Sequence, residues 1–175
     1  TTGFGGASVS SLPLETCETM NDSWGFNITD KKYKTVKGLI QYMIKAAGHN
    51  ANFLLNVGPM PDGNIQPEFV DTLKAIGKWM EKNGETIYGT RGNIIPPKSW
   101  GMVTQKGKTL YIHVLNMPTD AGFIFIPELK QKIAEAFLFG NKNTVKVKQQ
   151  NEGTFIFTDG IVPDNTDTII QIELK

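Results

Sequence analysis

Two adjacent prolines, Pro96 and Pro97, divide this chain into parts whose apolar residues recur with different periods. Before them, apolar side chains recur at helical spacing between short apolar runs. After residue 101 they alternate along short segments that end in turn residues. Paired prolines exclude a helix and mark a boundary. The sequence therefore predicts an α/β part over residues 1–93 and an all-β part over residues 94–175.

The first part alternates between strand and helix patterns. The strand predicted over residues 53–57 is nearly all apolar, which is typical of a strand buried on both faces of a parallel sheet. The helices show apolar faces at spacings of three and four residues. Residues 1–12, rich in Gly and Ser, are expected to form a loop. Strands are predicted over residues 13–19 and 53–57, and helices over residues 31–47 and 67–83.

The two predicted helices differ in how clearly they begin. Pro67 and Glu68 suit the first turn of the second helix. For the first helix, Asn27, Thr29 and Asp30 are all candidate N-caps. Two strand–helix units do not make a domain, because the strand edges and the helices remain partly uncovered. The missing partners are expected from another chain or from an N-terminal part.

The second part contains about seven short alternating runs with turn signals between them. This pattern predicts an antiparallel β-sandwich. In two of the runs phenylalanines alternate as core residues would. These are Phe123, Phe125, Phe155 and Phe157.

Composition narrows the classes of partner. The net charge is +1, so neither nucleic acid nor an anionic membrane surface is indicated. No apolar run approaches 18 residues, so no membrane span is predicted. The single cysteine, Cys17, cannot form an internal disulfide. Neither His49 nor His113 has a Cys or acidic cluster at ligand spacing, so no metal site is predicted. His49 follows a helix end, where a cation is favoured, and a structural role is expected for His113.

Glu15 and Glu18 raise the question of a catalytic pair, since glycosidases use two carboxyl groups. These groups are about 5–5.5 Å apart in retaining enzymes and about 6.5–9.5 Å apart in inverting ones. Strand residues three apart lie on opposite faces, with Cα atoms about 10 Å apart. The two glutamates are therefore not expected to face each other. Either one of them, with Glu15 the first choice, faces a carboxylate from elsewhere, or both are hydrogen-bonded or solvated strand residues.

Trp24 follows the first predicted strand and precedes Gly25. Aromatic rings stack on the C–H faces of sugars, and binding residues are common in loops, so Trp24 is a candidate sugar platform. Gly25 would allow the backbone or a ligand to approach closely. The alternative is a tryptophan that covers the top of a hydrophobic core.

Four ordered segments give a more specific indication: LETC at 14–17, SWGFN at 23–27, NFLLNVGPMPDGNIQPEF at 52–69 and GKWMEKNGETIYGTR at 77–91. This series resembles the glycoside hydrolase family 29 α-L-fucosidases. Leu14 is a departure, because the family more often has Trp there. Beyond residue 92 the resemblance is weaker and includes the segment KGKTLY.

The resemblance implies a (β/α)8-like barrel followed by a C-terminal β-sandwich. Residues 13–19 and 52–57 would then be late barrel strands, and the first six or so units would lie in an N-terminal barrel portion of the same enzyme. Sites in such barrels lie at the carboxyl ends of the strands. The resemblance makes Trp24 a wall of the fucose pocket and Asn56 a supporting polar group.

The implied mechanism retains configuration, with an Asp nucleophile and a Glu that serves as general acid and then base. Residues 1–14 contain neither Asp nor Glu. The nucleophile is therefore expected upstream of Thr1, and the isolated chain is expected to be inactive. Glu15 matches the Glu of the family's W-E-x-C motif and is the acid/base candidate, with Glu18 the lesser one. No metal or cofactor is implied.

The implied substrate is a fucosylated glycan. The sequence does not determine the compartment, and the resemblance implies the periplasm, secretion or the lysosome. The alternative function is a noncatalytic carbohydrate-binding module formed by the sandwich. Such modules usually expose several aromatics on one sheet face, and the core placement predicted for the phenylalanines speaks against it. A small independent fold with only an interaction role is disfavoured by the unpaired strand–helix units.

Overall fold

The first part of the fold is a pair of strand–helix units. The computed structural model describes residues 14–175, so the loop predicted over residues 1–12 and the strand start at Pro13 lie outside the described residues. The strands β1 and β2 are parallel, and each is followed by a helix, as predicted. The elements are β1 (Leu14–Thr19), α1 (Val36–Gly48), β2 (Ala51–Asn56) and α2 (Pro67–Asn83).

Helix α1 begins five residues later than predicted. Its N-cap is Thr35, whose Oγ1 accepts a hydrogen bond from the Gly38 N–H at 3.0 Å. The predicted caps at Asn27, Thr29 and Asp30 are therefore wrong. Their side chains bond within the preceding loop instead, because Asn, Thr and Asp satisfy turn N–H groups as readily as helical ones.

Helix α2 begins where the sequence predicts, with Pro67 in its first turn and Glu68 near its N-terminus. It ends at Asn83 and runs into a 3-10 turn, Gly84–Thr86. The connection that follows leads to the second part of the fold. This contains β3 (Gly101–Lys106), β4 (Thr109–Val114), β5 (Phe123–Ile126), β6 (Ile133–Leu138), β7 (Val147–Gln150), β8 (Gly153–Phe157) and β9 (Thr168–Leu174).

These seven strands form two antiparallel sheets, in the orders β3-β4-β9-β6 and β5-β8-β7. Side chains from both sheets meet in one apolar cluster, so the sheets pack face to face as a sandwich. The members from the larger sheet include Ile112, Ile170 and Ile172. Those from the smaller sheet are Ile124, Ile126 and Ile156.

The phenylalanines of the smaller sheet are not in this core, contrary to the prediction. Ile124, Ile126 and Ile156 are at most 1% exposed, whereas Phe123, Phe125, Phe155 and Phe157 are half-buried. The rings contact one another on the outer face, with centroids 5.3 Å apart for Phe123 and Phe155 and 4.5 Å apart for Phe125 and Phe155. Both alternating sets are apolar, so periodicity alone could not assign the face.

The α/β part and the sandwich share a second cluster. Ile40 and Ile44 of α1 pack against Met102 of β3, and all three are at most 4% exposed. The fit is close, since a Cβ added to Gly48 would lie 2.5 Å from the Met102 side chain. Helix α1 therefore joins the parallel strands on one side to the sandwich on the other.

Candidate functional site

The carboxyl ends of β1 and β2 lie together at one edge of the parallel sheet. Their register runs from Leu14 opposite Ala51 to Thr19 opposite Asn56. The loops over residues 20–35 and 57–66 both leave from this edge. In parallel α/β structures this is where ligand-binding loops converge. The edge is the candidate site, and Trp24 and Asn56 both lie there.

Trp24 and Asn56 are in direct contact. The Asn56 side chain donates a hydrogen bond from Nδ2 to the Trp24 carbonyl oxygen at 2.7 Å. Trp24 itself is 53% exposed. Since the hydrogen bond from Asn56 holds the Trp24 backbone, the exposed indole can present its face to a ligand. A tryptophan buried in a hydrophobic core could not do so. The structure thus brings two of the predicted site residues together.

The two loops also touch through a glycine. A Cβ added to Gly58 would lie 2.5 Å from the Gly25 carbonyl carbon and 2.7 Å from the Phe26 nitrogen. A Cβ added to Gly25 would have no atom of residues 14–175 within 4 Å. The close backbone approach expected at Gly25 therefore depends on the absence of a side chain at Gly58.

Glu15 lies away from this edge. It is the second residue of β1, is exposed, and lies on the same face as Cys17, whose Sγ is 4.0 Å from Glu15 Oε1. Thr19, at the strand end, is four positions further along, which corresponds to about 13 Å along the strand. Leu54, opposite Cys17, is 44% exposed, so this face of the sheet is uncovered within residues 14–175.

Glu18 has different surroundings on the other side of the strand. Its Oε1 accepts a hydrogen bond from the Thr19 N–H at 2.8 Å and lies 3.1 Å from Lys34 Nζ. Burial raises the pKa of Glu18, but the Thr19 N–H and the Lys34 ammonium outweigh it, so the pKa lies below its ordinary value. A general acid needs a raised pKa. Glu18 is therefore poorly suited to protonate a leaving group.

Lys34 is a polar centre that sequence reasoning missed. Besides Glu18, its ammonium donates to Thr19 O and Thr19 Oγ1 at 2.9 Å each and to Asn21 O at 2.7 Å. These oxygens lie 13 and 15 residues before it in sequence. A lysine in a Lys-rich stretch gives no local signal for such contacts, so the sequence offered no means of finding it.

Asp30 is the second polar centre of the loop. Its Oδ2 accepts from the Asp22 N–H at 3.0 Å and from Ser23 Oγ at 2.8 Å, and its Oδ1 accepts from the Lys32 N–H at 3.1 Å. The hydrogen bond from Ser23 holds the pKa of Asp30 below its ordinary value. Asp30 thus links the start of the loop, at Asp22 and Ser23, to its later part at Lys32.

Comparison with known proteins gives its family match over the part of the chain that contains this candidate site. A family model described as Alpha-L-fucosidase matches residues 5–85. Tissue α-L-fucosidase of Mus musculus is 33% identical over 118 residues, 65% of this chain and 25% of the relative. This chain belongs to the α-L-fucosidase family.

Solved fucosidase structures also match the fold. α-L-Fucosidase isoenzyme 1 from Paenibacillus thiaminolyticus has a TM-score of 0.82 at 33% identity, covering 94% of this chain and 40% of that one. The α-L-fucosidase from Vibrio sp. strain EJY3 has a TM-score of 0.83 at 27% identity, covering 95% of this chain and 30% of that one. This fucosidase-family chain therefore spans well under half of these relatives and corresponds to their carboxyl-terminal portion.

His113, one of the two histidines of this fucosidase-family chain, lies in β4 and is buried. His113 Nδ1 lies 2.7 Å from Asp167 Oδ2, and both side chains are 0% exposed. His113 Nε2 lies 3.3 Å from Thr104 Oγ1, which donates to the Thr86 carbonyl at 2.7 Å. With no access to solvent, this chain of hydrogen bonds has a structural role.

Metal and membrane features can be assessed over the same described residues. Within residues 14–175, no three His, Cys, Asp or Glu side chains are grouped as a metal ion would require. No helix in that range is both long enough and apolar enough to span a bilayer.

Proposed function

We propose that this chain is the carboxyl-terminal part of an exo-acting α-L-fucosidase, which hydrolyses terminal α-linked fucose from glycoconjugates with retention. The observation that carries the proposal is the family match over residues 5–85, the part in which Trp24 and Asn56 meet at the strand ends. The relatives named above are α-L-fucosidases in both sequence and structure comparisons.

Residues 1–93 are proposed to supply the last strand–helix units of a (β/α)8-like barrel, and residues 94–175 its β-sandwich. Within the described residues β1 and β2 pair only with each other, so each has an open edge. A groove of about 860 Å³ lies along β2, where Leu73 and Tyr88 are 37% and 66% exposed. Such open surfaces suit docking of the N-terminal barrel portion of the same enzyme.

Within that barrel, Trp24 would form a wall of the fucose pocket and Asn56 would support it. Barrel sites lie at the carboxyl ends of strands, where these two residues are held together. The indole would stack on the apolar face of the sugar. No metal or cofactor is required by this scheme, because the chemistry is shared between two carboxyl groups.

The nucleophile would be an Asp from a barrel unit upstream of Thr1. It would attack the anomeric carbon while a glutamic acid protonates the leaving oxygen, and the resulting carboxylate would then activate water. Glu15 is proposed for this acid/base role. Its match to the family motif supports the assignment. Its carboxylate is exposed on the sheet face that residues 14–175 leave uncovered, about 13 Å along β1 from the strand end, so the leaving group would have to reach it along that face.

The proposed place of action is outside the cytosol, in the periplasm, the lysosome or a secreted form. The name of a human relative, plasma α-L-fucosidase, is in keeping with this. Fractionation of the source cells followed by immunodetection tests it, and recovery in the cytosol would contradict it.

The decisive experiment is the hydrolysis of an aryl α-L-fucoside by the protein that joins this chain to its N-terminal barrel units. Proton NMR of the first turnover should show α-fucose, as retention requires. The 175-residue chain alone should give no turnover. Absence of hydrolysis by the joined protein, or release of β-fucose, would refute the proposal.

A noncatalytic carbohydrate-binding module remains the second candidate, although the fucosidase matches favour the enzyme. The outer face of the smaller sheet carries aromatic rings, as the face of a binding module would: Phe123, Phe125, Phe155 and Phe157. Lys146 Nζ lies 4.9 Å from the Phe157 ring centre. Calorimetric titration of the 175-residue chain with fucosylated glycans tests this candidate. Binding that F155A abolishes and W24A leaves intact would favour the sandwich as a binder.

A further inference from the structure

We propose that Lys34 is a positioning residue that fixes Trp24 for sugar binding. This inference rests on the proposed function, because it takes Trp24 to contact the sugar. The structure shows Lys34 as the centre of a cluster at the end of β1, and the same cluster leads directly to the residue before Trp24.

The Lys34 ammonium is fully engaged. It has three N–H donors, and three oxygens lie within 2.9 Å of Nζ: Thr19 O, Thr19 Oγ1 and Asn21 O. Glu18 Oε1 is next, at 3.1 Å, and supplies the opposite charge. Thr19 and Asn21 are only 4% and 2% exposed. Charge-assisted hydrogen bonds in such a setting are stronger than neutral ones.

The cluster holds Trp24 from its N-terminal side. Asn21, whose carbonyl binds Lys34, accepts a hydrogen bond at its Oδ1 from the Ser23 N–H at 3.3 Å. Ser23 precedes Trp24, and on the other side Asn56 binds the Trp24 carbonyl at 2.7 Å. The exposed indole is thus fixed by its backbone neighbours and not by burial of its ring.

Apolar contacts hold the ends of the loop independently of Lys34. Met20, 1% exposed, packs with Leu39 and Phe69, and the Tyr33 ring meets the Phe69 ring edge-on at 5.9 Å. A lysine would not be needed to keep these ends in place. Loss of the ammonium is therefore expected to loosen residues 21–30 without unfolding the chain.

Kinetics of the intact fucosidase provide the main test. In K34M, KM for an aryl α-L-fucoside should rise about tenfold with kcat within about twofold, because stacking on Trp24 acts equally in the ground state and the transition state. K34R, which keeps the charge, should recover part of the loss. K32M is the matched control, since the Lys32 side chain is 85% exposed and lies 3.8 Å from Asp22. Equal KM values for K34M and the parent protein would overturn the proposal.

A double-mutant cycle asks whether Lys34 acts through Trp24. In the W24A background, K34M should leave KM unchanged, because the platform it positions is gone. Additive effects of K34M and W24A would show that Lys34 acts elsewhere and would overturn the proposal.

Hydrogen exchange separates this inference from the proposed function. In K34M, amides of residues 22–30 should exchange at least about tenfold faster, while those of β2 and α2 keep the parent rates. Unchanged exchange in the loop would overturn the positioning role, even in a protein that cleaves no fucoside. Faster loop exchange in a protein that cleaves no fucoside would support the fixing of the Trp24 loop and refute only the fucosidase assignment.

Discussion

At the scale of single residues, Glu15 and Glu18 show how different neighbours give identical side chains different properties. Glu18 is held as a carboxylate by Lys34 and the Thr19 N–H. Glu15 Oε1 lies 4.0 Å from Cys17 Sγ, on the face of the sheet that residues 14–175 leave uncovered. Replacement by glutamine is therefore expected to affect mainly activity at Glu15 and mainly stability at Glu18.

E15Q tests the acid/base assignment in the intact enzyme. Removal of a general acid typically costs about 10²- to 10⁴-fold in rate, so kcat on a natural fucosylated glycan should fall within that range. An aryl fucoside should lose less, because its leaving group needs less protonation. E18Q is the matched control and should keep most of kcat. Parent rates for E15Q on both substrates would remove Glu15 from the mechanism.

E18Q tests the ion pair through stability. Because the folded-state pKa of Glu18 is lowered, its contribution is present above its ordinary value of 4.5 and is lost as the pH falls through the folded-state value. The melting temperature of E18Q should therefore lie below that of the parent protein at pH 7, and the two should converge in acid below pH 4.5. E152Q controls for the loss of an exposed charge. A difference that persists unchanged in acid would contradict the ion pair.

At the scale of elements, the site depends on two loops packed backbone to backbone. Gly58 leaves no room for a Cβ beside Gly25 and Phe26. Since main-chain atoms cannot rotate aside as a side chain can, a larger residue must displace one loop from the other.

G58A is therefore expected to destabilise the protein by about 1–3 kcal/mol, as overpacking does, and to raise KM. G25A is the matched control, because its added Cβ meets no atom of residues 14–175 within 4 Å. Urea denaturation and aryl fucoside kinetics measure the two effects. Equal stability of G58A and G25A would show that the loops can separate without cost.

The elements also show what could be predicted from sequence. Helix α2 was predicted with both its ends because Pro67 and the apolar spacing point to the same structure. The start of α1 was misplaced because its cap, Thr35, lies in a Lys-rich stretch whose Lys34 bonds to the end of β1. The facing of the phenylalanines could not be predicted because isoleucines occupy the alternate positions. Contacts distant in sequence decided both outcomes.

At the scale of the whole molecule, the buried pair of His113 and Asp167 ties several segments together. His113 is in β4, Asp167 immediately precedes β9, and Thr104 extends the chain of hydrogen bonds to the turn after α2. Among residues 14–175, Asp167 Oδ1 is buried without a hydrogen-bond partner, so within that range the Asp167 carboxylate depends on His113 for its side-chain hydrogen bond.

H113L should lower the free energy of unfolding by about 3–5 kcal/mol, since it leaves a buried carboxyl group without its partner. Adding D167N in that background should recover part of the loss, because the uncompensated charge is gone. Urea titration followed by tryptophan fluorescence reads both variants. If H113L were as stable as the parent protein, the pair would have no structural importance.

The packing of Ile40 and Ile44 on Met102 limits how this protein could be shortened. A version that ended at residue 93 would expose Ile40 and Ile44 of α1 to water. These side chains are now 2% and 0% exposed. We expect such a version to precipitate, however intact its loops at the strand ends. The sandwich would then act as a solubilising cover for the α/β part, and attempts to make a shorter version should redesign that helix surface before the sandwich is removed.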